Sequence, residues 1–127
     1  MPGCGWRSLV GFVSPERTAA LLVTPDSLFS ANARRIAEFA PDNRIATMYW
    51  TRQHVEAGGL MSYGQNDSVR YHRAAHYIDK IIKGAKPAEL LVEQGASIEC
   101  VLNLKTAMAI GLTMPKELLF RAETVIE

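Results

Sequence analysis

The sequence has no apolar run approaching the roughly 18 residues that a helix needs to cross a bilayer. It has no excess of either charge: 14 Lys and Arg stand against 13 Asp and Glu, a formal net charge of +1. That balance argues against broad nucleic-acid binding, which needs a basic face to neutralise phosphates, and against a polybasic membrane anchor. Cysteine is scarce. Cys4 and Cys100 form no C-x-x-C pair and no metal-ligand spacing. A disulfide between them stays open, but Cys100 sits in the apolar run Ile98-Glu99-Cys100-Val101-Leu102 and reads as a small packed hydrophobe. The opening Met1-Pro2-Gly3-Cys4-Gly5-Trp6 has no charged region leading into an apolar stretch, so no signal peptide is expected there. Catalytic signatures are missing as well: G-x-S-x-G, the Walker phosphate loop and G-x-G-x-x-G. Repeats and low-complexity tracts are absent. The absence of catalytic signatures lowers the expectation of an enzyme, and no cofactor is expected.

What remains is an ordinary globular composition. The chain has 127 residues, 48% apolar and 21% charged, which suits one domain with a real core. Residues 1–18 carry Gly3, Gly5, Gly11 and Pro15 with weak periodicity and are expected to be poorly ordered. From Ala19 onward the pattern alternates. Strands are predicted at 19–24, 44–49, 60–63, 90–92 and 98–102, the third ended by Gly64. Helices are predicted from Phe29 to Ala40, from Thr51 to Gly58, from Asn66 to Gly84, from Asn103 to Gly111, and from Pro115 onward through Val125 and Ile126. This reads as α/β with a mainly parallel sheet and flanking helices. In such sheets ligands sit beyond the carboxyl ends of the strands. Three loops meet that description: Pro25-Asp26-Ser27, the turn after Tyr49, and Ser62-Tyr63-Gly64.

Each candidate residue has a functional and a purely structural reading. Asp26 could pair with the ammonium of an amino-acid-like ligand, or Asp26 or Ser27 could cap the following helix. Ser62 offers a hydroxyl, Tyr63 a ring with a polar tip, and Gly64 room for close backbone approach; the alternative is an ordinary strand end. His72 and His76 share a helix face four residues apart, but lack the Glu of H-E-x-x-H and a third ligand, so no metal site is expected. His54 reads as structural.

Several segments together resemble a known family. Val55-Glu56-Ala57-Gly58-Gly59-Leu60-Met61-Ser62-Tyr63-Gly64 is very similar to a segment of ABC-transporter substrate-binding proteins of the tryptophan/tyrosine type, as is the run from Ala74 through Lys86-Pro87-Ala88-Glu89-Leu90. Asn103-Leu104-Lys105-Thr106-Ala107, then Gly111-Leu112-Thr113, Pro115 and the final Arg121-Ala122-Glu123-Thr124-Val125-Ile126-Glu127, continue the likeness. Departures include Ala46 and Gly95, where the family often has Pro, along with His54 and Cys100.

The resemblance implies a periplasmic-binding-protein-like fold: two α/β lobes joined by hinge crossovers, with the ligand trapped between them. Residues 19–127 would supply part of the second lobe, the hinge crossovers and the C-terminal helices. The first lobe would be missing, which makes a truncated product the expectation. The implied ligand is a small amino-acid-like molecule, met by Asp26 at its amine and by Ser27, Ser62, Tyr63 and Gly64 at the cleft edge. The implied partner is the membrane permease of an ABC importer, and the implied location is periplasmic or extracytoplasmic. A helix whose natural cover is absent would expose Ile78, Ile81 and Ile82, so a homo-oligomer is also expected. Two other readings are a non-binding remnant that self-associates and a small α/β enzyme.

Overall fold

The structure, a computed structural model, describes residues 18–93 and 98–127. The expectation of poor order over residues 1–18 therefore falls outside the described residues, Thr18 excepted. In chain order the elements are β1 (Ala20–Leu22), α1 (Ser27–Ala31), α2 (Ala33–Asp42), β2 (Ala46–Tyr49), α3 (Arg52–Glu56), β3 (Met61–Gln65), α4 (Asp67–Ile82), a 3₁₀ turn (Pro87–Glu89), β4 (Ile98–Asn103), α5 (Leu104–Ala109), α6 (Lys116–Arg121) and β5 (Thr124–Ile126).

The five strands form one sheet in the order β1-β2-β3-β4-β5. β1–β2, β2–β3 and β4–β5 pair in parallel, and only β3–β4 is antiparallel. The expected α/β class with a mainly parallel sheet and flanking helices is what forms. Parallel neighbours need crossovers, and the helices between β1, β2 and β3 supply them.

Register decides which side chains meet. Tyr49 pairs with Ser62, and Ser62 pairs with Val101, so all three project from one face. Ile36 of α2 and Val55 of α3 close over that face and, with Val23, Tyr49 and Val101, form the core. Full burial of each aliphatic side chain there contributes about 1.5–3 kcal/mol.

Glycine permits two close approaches. A Cβ on Gly64 would lie 2.0 Å from the Trp50 carbonyl oxygen, and one on Gly59 would lie 2.3 Å from the Tyr49 ring. No side chain fits at either place, so β3 can sit this close to the end of β2 only with glycine there.

α4 differs from the rest. Asn66 caps it, its Oδ1 accepting from Ser68 N at 3.0 Å and Val69 N at 3.3 Å, and Gly84 (φ 101°) follows its end. Yet none of its residues is buried. Tyr71 is 67% exposed, Ile78 57% and Ile82 79%. Its described ties run to the segment that follows: Tyr77 Oη donates to Leu91 O at 2.7 Å, and Arg73 pairs with Glu93.

Several expectations are corrected. The predicted helix over Phe29 to Ala40 is two helices broken at Asn32, whose side chain donates to Leu28 O at 2.9 Å and competes with the helical ladder. Gly64 lies within β3 rather than ending it. Residues 90–92 form no strand, and their carbonyl at Leu91 is taken by Tyr77. The last helix stops at Arg121, and Thr124–Ile126 becomes β5 beside β4. Those three β-branched residues suit a strand, and Glu123 N donates to Cys100 O at 2.9 Å to begin it.

Candidate functional site

Parallel pairing points β1, β2 and β3 the same way, so their carboxyl ends share one edge of the sheet. Val23 N donates to Met48 O at 2.9 Å and Tyr49 pairs with Ser62, which sets the three strand ends level. With neighbouring strands about 4.8 Å apart, the ends of β1 and β3 are about 10 Å apart. The Asp26 loop, the turn at Trp50 and Thr51, and the end of β3 are therefore gathered along one rim.

Asp26 is exposed on extended backbone (φ −156°, ψ 145°) and caps α1, its Oδ1 accepting from Leu28 N at 2.7 Å. Ser27 follows as the first, exposed residue of α1. Ser62 is buried against the core face, 2% exposed. Tyr63 points to the opposite face, 53% exposed, across from Cys100. Gly64 is filled by the chain's own Trp50 carbonyl. Of the five candidates, then, Asp26, Ser27 and Tyr63 are open to solvent near the rim, while Ser62 and Gly64 serve packing in this chain.

A cavity of about 220 Å³ opens on the same rim. Thr51, Arg52 and Glu56 of the α3 region form one wall, Asn66 and Asp67 at the start of α4 the other, and Glu99 of β4 lines it between them. Arg52 Nη1 donates to Glu99 Oε1 at 2.8 Å, and its Nε donates to Glu56 Oε1 at 2.6 Å. Asn66 Nδ2 donates to the other Glu99 oxygen at 2.9 Å. The hydrogen bond to Glu56 raises the Arg52 pKa, so the guanidinium stays charged. Glu99, with only 8% of its side chain exposed, thus has both oxygens satisfied, as a buried carboxylate requires. Sequence reasoning missed this cluster. Its members lie 47 and 33 residues apart, and the one available signal was a glutamate inside an otherwise apolar run.

His54 is buried in the core edge. Its ring stacks on Tyr49 with centroids 4.8 Å apart, and Thr51 Oγ1 lies 3.1 Å from its Nδ1. Burial lowers its pKa and holds the imidazole neutral, and burial likewise raises the Tyr49 phenol. His72 and His76 lie exposed on α4, and among the described residues no three potential ligands gather to hold a metal. Cys100 is a buried free thiol whose pKa burial raises; Cys4 lies outside the described residues. Among those residues no helix is long and apolar enough to cross a membrane.

Comparison with known proteins gives a consistent picture. A family model described as "ABC transporter substrate binding protein" matches residues 9–126. A conserved domain protein from Vibrio cholerae superposes with a TM-score of 0.79 at 22% identity, over 87% of this chain and 38% of its own. An ABC domain from Streptococcus pneumoniae, solved in complex with L-Trp, gives a TM-score of 0.78 at 25% identity, over 88% of this chain and 38% of its own. A ligand-free, open substrate binding protein with adhesive properties from Clostridium difficile gives 0.58 at 20% identity, over 84% and 36%. No curated protein matches. The chain thus spans well under half the length of these solved structures.

Proposed function

We propose, from the premise that this chain belongs to the ABC transporter substrate-binding protein family, that it forms one wall of a cleft holding a small amino-acid-like ligand. The observation that carries the proposal is the shared rim. Three parallel strands deliver an exposed carboxylate, Asp26, and a cavity lined by Arg52, Asn66 and Glu99 to one edge, where ligands of α/β sheets bind. The likeness to a solved ABC domain that holds L-Trp supports an amino acid as ligand.

In this reading the Asp26 carboxylate meets the ligand amine and Ser27 adds a hydroxyl. Tyr63 offers its ring to an apolar side chain, while Ser62 and Gly64 fix the shape of the strand that presents it. A pocket of this kind encloses about 70–90% of its ligand, so the opposite wall comes from the other lobe. The exposed stripe of α4 is the surface on which that lobe packs. The protein binds and releases its ligand without chemistry, delivers it to the permease of an ABC importer, and works outside the cytoplasm.

A second reading has its own support. The open stripe of Tyr71, Ile78 and Ile82 favours self-association, which needs no ligand.

Titration of the isotope-labelled chain with L-Trp and with branched amino acids, followed by NMR, separates the two. The cleft reading predicts saturable shifts at Asp26, Thr51 and Arg52 that Asp26→Ala weakens about tenfold, the loss of one charge-assisted contact. Spectra unmoved by every amino acid would refute it.

A further inference from the structure

α4 presents a puzzle of mechanics. It is 16 residues long and buries none of them. Packing therefore does not fix its direction relative to the sheet. Something at its root must, because the helix leaves β3 directly: Gln65 ends the strand and Asp67 starts the helix, with Asn66 alone between them.

Asn66 is held at both ends of its amide. Its Oδ1 caps α4 through Ser68 N and Val69 N. Its Nδ2 donates to Glu99 Oε2 at 2.9 Å. Glu99 is fixed in turn by two independent constraints. It pairs with Gly64 in the antiparallel β3–β4 ladder, and its other oxygen accepts from Arg52 Nη1 at 2.8 Å. Arg52 is steadied by Glu56 on the same helix. The chain of contacts runs from α3, through one buried carboxylate in the sheet, to the first turn of α4.

From this geometry we infer that Glu99 is a positioning residue that aims α4: with Arg52 and Asn66 it makes a brace, and α4 swings on the Gln65–Asp67 linker when the brace is broken. Three details favour a brace over an ordinary surface ion pair. The carboxylate is buried, so its bonds are shielded from competing water. Both of its oxygens are used, each by a different element. Finally, the bond to α4 comes through its capping residue, so the direction of the first turn and the position of Glu99 are set by one amide. The cavity between α3 and α4 lies beside this brace, so a change in brace geometry alters the cavity walls too. The inference does not depend on what, if anything, binds there.

The donor and acceptor of the critical bond can be exchanged. N66D keeps the helix cap, because Asp caps as well as Asn. It also replaces the amide donor with a carboxylate facing Glu99. E99Q puts an amide donor against the Asn66 donor. The double variant N66D/E99Q restores one donor and one acceptor with their roles swapped.

Residual dipolar couplings measured on the full chain report the direction of α4 amides relative to those of β2, β3 and β4. The expected result is that each single variant shifts or averages the α4 couplings while the sheet couplings keep their wild-type fit. Amide exchange in the first turn of α4 should rise about tenfold in each, the loss of one hydrogen bond to a charged group. The double variant should return both readings toward wild type. Unchanged α4 couplings in E99Q, or single-variant changes that the double variant does not reverse, would overturn the inference. Should N66D not fold, E99Q and the double variant still decide the matter by the same criteria.

Discussion

Two regions of this molecule use the same kind of sequence to opposite ends. α2 and α3 lie against β2, β3 and β4, and their apolar positions Ile36, Ala37, Ala40 and Val55 are buried. α4 also carries an apolar stripe, Tyr71, Ile78, Ile81 and Ile82, all of it exposed. Amphipathic periodicity is present in both. What differs is whether a partner surface exists among the described residues, so a stripe shows that a helix is meant to be covered without showing by what.

If that contrast is real, substitutions should separate the regions sharply. The largest effect is expected at Gly64→Ala, where a new methyl would overlap the Trp50 carbonyl oxygen and only backbone could give way. We expect a loss of about 3 kcal/mol or more in chemical denaturation, at the upper end for overpacking. Leu102→Ala, at a fully buried site of β4, should cost about 2–4 kcal/mol by the same measurement.

The buried His54 gives the core region a pH dependence of its own. Its pKa in the folded chain is lowered from 6.5, so the unfolded chain binds the proton more readily. Its contribution is complete above the unfolded value and is lost as pH falls below 6.5 toward the folded one. Denaturation midpoints should therefore drop between pH 7.5 and pH 5, two conditions on either side of about 6.5, and drop less in His54→Gln. An equal drop in both would place the titrating group elsewhere.

The smallest effect on stability is expected on α4. Ile82→Ser should change it by about 0.5 kcal/mol or less, because that residue is 79% exposed. The same change with Ile78→Ser should shift light-scattering mass toward monomer if the stripe drives association. A loss at Ile82 comparable to that at Leu102 would erase the contrast.

The legibility of the sequence followed the same divide. Local signals read well: Asn66 and Asn103 cap the helices that follow them, and Gly84 and Gly111 (φ 101° and 75°) close their helices. β1, β2 and β4 lie within two residues of the runs that predict them. Failures came where a distant partner decides. Leu90-Leu91-Val92 has strand composition but is held beside α4 by the Tyr77 bond to Leu91 O, whereas Thr124–Ile126 is drawn into a strand by pairing with β4. Among the candidate site residues, Asp26 was legible both as cap and as rim carboxylate. At Ser62-Tyr63-Gly64 the face each side chain takes was not legible, because the segment is strand and alternation along β3 sends Ser62 and Tyr63 to opposite faces. The Arg52, Glu99 and Asn66 brace had no local signature, since each residue alone reads as a solvated polar side chain and only the β3–β4 register and the packing of α3 bring them together.

Hydrogen exchange on the intact chain tests the division most directly. Amides within α4, from Tyr71 to Ile82, should exchange by local opening well before those of Tyr49, Val101 and Leu102, which should wait for global unfolding. Protection in α4 equal to that of the β4 core, in a chain shown to be monomeric, would mean that the helix needs no cover and would contradict the account.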